Sequence, residues 1–144
     1  MAAVRDGQRS KAEKMNQTNI ELTLAADFNT AAGGWKVAFP NIPFSSPKPY
    51  VRFEIVRVSN RDDTLEGQAA ISKGRIVATV VTEIGTKSKD ANTKADQIAA
   101  YYPMGRRLPV IDGEIVIIAP PNIQEGFPQD ADWRTPVIID YEAS

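Results

Sequence analysis

Gly74-Arg75-Ile76-Val77-Ala78-Thr79-Val80-Val81-Thr82-Glu83 decides the fold. β-Branched residues dominate it, and they favour extended backbone. Side chains of a strand alternate between faces, so Ile76, Ala78 and Val80 share one side, with Val77 and Val81 on the other. Apolar side chains on both faces predict a strand in the middle of a sheet. Residues 66–72, just upstream, read as a hairpin arm paired with it.

Working outward, Tyr50-Val-Arg-Phe-Glu-Ile-Val-Arg-Val58 predicts a second strand. Val51, Phe53 and Ile55 share one face, with Arg52 and Glu54 opposite. Val56 and Val58 then fall on the Arg52 face, which predicts either a bulge near Ile55–Val56 or burial of both faces. Asn60 to Asp63 read as a loop. Further on, Leu108 to Ile118 reads as a hairpin around an Asp112-Gly113 turn, ended by Ala119-Pro-Pro121. A polar loop, Asn122 to Asp132, leads to a last strand in which Trp133, Thr135, Val137, Ile139 and Tyr141 share one parity.

Two segments carry helical spacing. Ile20, Leu24, Phe28 and Ala31 form one apolar stripe, and Gly33-Gly34 can close that helix in left-handed geometry. Ser10-x-x-Glu13 and Thr18-x-x-Glu21 each fit a capping box, and the stripe favours the later start. Ala91, Ala95, Ile98, Ala99 and Tyr102 form the second stripe, with Ser88 or Asp90 as cap and Pro103 as stop. Between the first helix and the strands runs Trp35 to Pro49. Four prolines in its last ten residues forbid a helix and argue against a central strand. It reads as a rigid extended connector anchored by Trp35, Phe39 and Phe44.

The order is helix, connector, two or three strands, helix, hairpin, strand. That predicts an α+β fold: a mostly antiparallel (mixed) sheet with two main helices packed on one side. The 144 residues suit one domain, and a chain of that size buries roughly two thirds of its unfolded surface. Residues 1–15 are polar and read as an extension; 16–144 form the domain, with no internal repeat.

The chain has no histidine and no cysteine. It therefore lacks the commonest general base, the usual transition-metal ligands, the thiol nucleophile and the disulfide. A net charge of −1 does not suit a nucleic-acid or membrane binder. No apolar run approaches the ~18 residues of a membrane span. The N-terminus lacks the apolar stretch of a signal peptide, so synthesis in the cytoplasm is expected.

Candidate chemistry is thin. Gly85-Thr-Lys87-Ser88 joins a strand to a helix but departs from the phosphate-loop pattern, with its lysine one place late. Asp62 with Asp63, Asp112 with Glu114, and Asp130 with Asp132 are carboxylate pairs, which can serve acid–base chemistry or a hard cation. All lie in expected turns, where aspartate is favoured for its bonds to backbone amides. A Ser88–lysine dyad has no support beyond adjacency. Arg106 and Arg107, with Lys87, Lys89 and Lys94, form a candidate basic patch; solvated charge is the plainer reading. Trp35, Phe39 and Phe44 are candidates for a subunit interface as well as for core anchors. These residues give no catalytic, cofactor or metal site.

In order, these modules resemble the tail-terminator (tail-completion) proteins of long-tailed bacteriophages and gene-transfer particles. Three places carry the resemblance: Trp35 to Phe44, with Pro40-Asn-x-Pro-Phe44, running into Tyr50-Val-Arg-Phe; the Gly74 strand and the helix ending Ala95-Asp-Gln-Ile-Ala-Ala-Tyr-Tyr-Pro103; and the hairpin, acidic loop and Trp133-x-x-Pro-Val-Ile-Ile strand. Together they span roughly residues 16 to 142.

The resemblance implies a non-enzymatic virion protein of siphovirus type. It would form a homo-oligomer, a hexameric ring, at the head–tail junction. It would cap the major tail tube protein, end polymerisation and offer a surface to the head–tail connector. Arg106, Arg107 and the three aromatics would then serve subunit or partner contacts. Asp62, Asp63, Asp130 and Asp132 would line a lumen through which DNA passes without specific binding, repelled by like charge. Another head–tail joining component and a small-molecule-binding regulatory domain are the competing readings.

Overall fold

The computed structural model describes residues 16–62, 70–85 and 89–144, with backbone alone at 60–62 and 70. The polar extension 1–15 lies outside that set, as do Asp63, most of the expected hairpin arm, Lys87 and Ser88.

Helix α1 (Gln17–Ala31) begins at an Asn16 cap, not at Thr18. Asn16 is extended, and its Oδ1 accepts the Asn19 N–H at 2.8 Å, satisfying one free donor of the first turn. Glu21, expected to complete a capping box, accepts from the Gln17 amide at 2.6 Å and from Arg57 instead. The expected stripe, Ile20, Leu24, Phe28 and Ala31, is the buried face. Gly33 and Gly34 follow with φ of 60° and 93°, the left-handed geometry that turns the chain out of the helix. Helix α2 (Lys89–Tyr101) buries Ala91, Ala95 and Ile98 as expected, and Lys94 as well.

Among the described residues the sheet has eight strands. They are β1 (Val37–Ala38), β2 (Tyr50–Asp62), β3 (Ala70–Glu83), β4 (Arg107–Val110), β5 (Gly113–Ile117), β6 (Asn122–Ile123), β7 (Phe127–Gln129) and β8 (Asp132–Ala143). The order is β1-β2-β3-β8-β5-β4, with β6 and β7 also on β8. Only β1 with β2 is parallel, so the sheet is mixed and mostly antiparallel. One edge of β8 pairs with β3 along its whole length; the other takes β7, β6 and β5 in succession. The central place expected of the Gly74–Glu83 strand is occupied, between β2 and β8.

Four local expectations are corrected. The register of β2 slips between Arg57 and Ser59, not near Ile55–Val56. Val56 and Val58 are 46% and 54% exposed, so burial of both faces is not the cause. Asn60 to Asp62, expected as loop, continue β2 by pairing with Ala70 to Ser72, which open β3 and are no separate arm. The polar stretch 122–132 is not one loop: β6 and β7 arise in it by pairing with β8. The hairpin turn lies one residue early, on Ile111-Asp112, because Val110 pairs with Gly113. Asp112 takes the left-handed position at φ 56°, which aspartate tolerates better than most residues.

Both helices pack on the same sheet face. Val51, Phe53, Ile76, Val80, Ile139 and Ile117 meet Leu24, Phe28, Ile98 and Tyr102 in one core. The Phe28 ring lies 4.9 Å from Phe53 and stacks at 6.4 Å on Tyr102, joining α1, the sheet and the end of α2. Each such buried side chain contributes roughly 1.5–3 kcal/mol. The opposite face carries ion pairs between neighbouring strands, Arg75–Asp140 at 3.3 Å and Lys73–Glu142 at 3.8 Å. Exposed pairs of this kind add little stability but keep a half-bare sheet wet.

Candidate functional site

The connector from Trp35 to Pro49 runs along the β2 edge of the sheet. Its first part forms β1, which covers only Val51 and Arg52. Phe39 meets Phe53 edge-on at 5.6 Å, and Phe44 meets Tyr50 at 4.7 Å. Trp35 and Phe39 pack against the core while half-buried. Asn41, at φ 59°, turns the chain between Pro40 and Ile42. The three aromatics thus anchor the connector, and Phe39 also lines a surface groove.

Among the described basic residues, Arg106, Lys94 and Arg107 each have a separate acceptor, and Lys87 lies outside the described residues. Arg106 reaches back across the fold to α1, where its guanidinium forks onto Asp27 with bonds of 2.8 and 2.9 Å. It also lies 4.4 Å over the Tyr101 ring and 5.2 Å over Tyr102. That combination suits a planar guanidinium and not an ammonium. Beneath it, burial foremost, and the Asp27 charge next, push the Tyr102 phenol well above its ordinary range. Lys94 is only 4% exposed; its ammonium donates to the Ala32 carbonyl at 2.8 Å and to Gln97 at 3.2 Å, and sits 4.7 Å over Trp35. Burial lowers its pKa. It closes the C-terminal end of α1, where cations are favoured. Arg107 is exposed and paired with Glu114 across the β4–β5 hairpin.

The acidic candidates that the structure describes differ in their surroundings. Asp62 is the last residue of β2, and Asp63 lies outside the described residues. Asp130 is exposed at φ 51° in the β7–β8 turn. Asp132 is half-buried, 2.8 Å from Lys48 and 3.2 Å from Arg134. The hydrogen bond from Lys48 holds its carboxyl below the usual range. Among the described residues no three carboxylates gather to hold a cation, and no helix is long and apolar enough to cross a membrane.

Sequence reasoning missed a surface groove of about 780 Å³ between α1 and the β2 edge. It is lined by Leu22, Ala25 and Ala26 of α1, Ile42 of the connector, and Phe53 and Ile55 of β2, with Glu21 and Arg57 joined in its lining by a 3.0 Å ion pair. Leu22 and Ile42 are 63% and 61% exposed. Alongside it, among the described residues, no strand pairs with β2 on that side beyond Arg52. Leu22 sits outside the stripe that marks the core, and that was the one available signal.

No curated protein sequence matches the chain. A solved structure titled only by a sequence identifier is similar in fold: TM-score 0.76 at 20% identity, covering 90% of this chain and 96% of that one. The family model described as "Phage tail terminator protein" matches residues 19–141, nearly the whole described domain. The helices, connector, central strands, hairpin and closing strand fall inside that match but for the first two residues of α1 and the last two of β8, and the chain belongs to the phage tail terminator family.

Proposed function

We propose that this protein caps the tail tube as a ring, ends tail polymerisation and forms the head-side joining surface of the virion. The single observation that carries the reading is the family match across residues 19–141. Physical features agree with it. The work is mechanical and asks for no histidine, cysteine or bound cofactor, in keeping with a structural, non-enzymatic role. It needs surfaces that bind neighbours, and the chain exposes ten large hydrophobic side chains among its described residues.

In this reading the partners are further copies of the chain, six in the ring that the family implies, the major tail tube protein and the head–tail connector. DNA passes through the ring without specific binding. Asp130 is the best-placed acidic candidate for a lumen, because Asp132 is already neutralised by Lys48 and Arg134. Purified protein added to polymerising tail tube protein tests the role. Growth should stop with the protein bound at one tube end; tubes that lengthen unchanged, with no bound protein, contradict it.

A further inference from the structure

We infer that the groove between α1 and the β2 edge is the receiving half of a head-to-tail contact, filled by the β5–β7 end of a second copy of this chain. The inference rests on the ring reading above and assigns the surfaces that close the ring.

Three observations carry it. The groove is largely apolar, and among the described residues the strand beside it has no partner on that side beyond Arg52, the arrangement into which extended segments dock. The other side of β8 offers a counterpart: Ile118 and Ile123 are exposed there, and Phe127 is exposed where β7 shares a surface hollow with Arg52 and Glu54. The strand order puts β2 and β5–β7 on opposite sides of the β3–β8 pair. One subunit therefore carries donor and acceptor on opposite flanks, as a repeating head-to-tail contact requires.

Charge favours this pairing over a two-fold one. Residues 17–57, which supply α1, the connector and β2 around the groove, hold Lys36, Lys48, Arg52 and Arg57 against Glu21, Asp27 and Glu54, a net of +1. Residues 111–132 hold five acidic residues and no lysine or arginine, a net of −5. The difference in sign survives the pairs made within the subunit, Lys48–Asp132, Arg57–Glu21, Asp27–Arg106 and Glu114–Arg107. A two-fold contact through the groove would gain no charge complementarity, whereas head-to-tail docking sets a weakly cationic flank against the acidic one. The β4 edge at the far end is a poor competitor for β2, because Pro109 lacks an N–H to donate.

The absence of native cysteine makes a clean test. One preparation carries Leu22→Cys; three others carry Ile118→Cys, Ile123→Cys or Phe127→Cys. Each of the three is mixed with the first and treated with a short thiol-reactive cross-linker. Covalent dimers should form in at least one mixture and not in the Leu22→Cys preparation alone. In parallel, Leu22→Glu and Ile42→Glu, both at exposed positions, should raise the concentration for half-assembly by ~10-fold or more without shifting the monomer's circular dichroism. Added salt should weaken assembly of the unsubstituted protein.

A ring of normal mass that tolerates both glutamates would overturn the inference and leave the ring standing. So would cross-links confined to Leu22→Cys pairs, or made from Leu22→Cys to tail tube protein only. Unsubstituted protein that stays monomeric even with tail tube protein would remove the ring itself, and the inference with it.

Discussion

Tyr141 of β8 lies across Gly74 of β3, its register partner: a Cβ on Gly74 would stand 2.5 Å from the tyrosine hydroxyl and 2.6 Å from Cζ. The Tyr141 ring is fully buried and has nowhere to swing. Gly74→Ala should therefore destabilise the fold by about 1–3 kcal/mol, the range for overpacking. The urea midpoint should fall with an unchanged slope. Gly126 stands under the Trp133 indole, a Cβ there lying 2.5 Å from Nε1, but in a connection between short strands at the surface. Gly126→Ala should cost less. An unaltered midpoint for Gly74→Ala would contradict this packing.

The Arg106–Asp27 fork joins the start of the β4–β5 hairpin to α1. Arg106→Ala should cost about 1–3 kcal/mol, since it strands a half-buried carboxylate. Arg106→Lys should recover less than half of that, because an ammonium makes neither the fork nor the stack on Tyr101. A double-mutant cycle with Asp27→Ala should show coupling above ~0.5 kcal/mol. Additive losses would mean that the two side chains act independently.

Alkaline stability should carry two opposing contributions. The folded Tyr102 phenol is raised by burial, whereas the unfolded one ionises near pH ~10. Above that pH the folded state binds more protons, so stability falls as pH rises. Burial moves Tyr141 the same way. Lys94 is lowered by burial, so between its folded value and ~10.4 the unfolded state binds more protons and stability rises with pH. Urea midpoints from about pH 8 to about pH 11 should show Tyr102→Phe blunting the fall and Lys94→Met blunting the rise. Identical profiles for all three proteins would contradict both assignments.

The Asn16 cap gives the simplest check of where α1 begins. Asn16→Ala should cost about 1 kcal/mol and Asn16→Ser far less, while Thr18→Ala should leave the melting temperature nearly unmoved. A larger loss at Thr18 would move the helix start.

The elements with a strong local signal were legible in the sequence. The α1 stripe at Ile20, Leu24, Phe28 and Ala31 marked its buried face, and apolar residues on both sides of the Gly74–Glu83 strand marked its central place. The misreadings share a cause. Asn60 to Asp62, β6 and β7 are polar or short, and become strands only through partners distant in the chain. The bulge depends on how β2 meets β3, which no alternation within β2 records.

The candidate site was less legible for the same reason. Arg106 and Asp27 are 79 residues apart, and Lys94 is 62 residues from the carbonyl it binds, so neither tie could be read locally. Both residues looked like surface charge and are structural. The groove is assembled from α1, the connector and β2, and each wall taken alone reads as an ordinary exposed face.

The central claim is that the protein acts by closing a collar on the tail tube. Electron micrographs of virions assembled without it measure this most directly, through tail length and attachment. The account predicts tails of uncontrolled length that are not joined to filled heads. Tails of normal length, firmly joined to filled capsids, would contradict it.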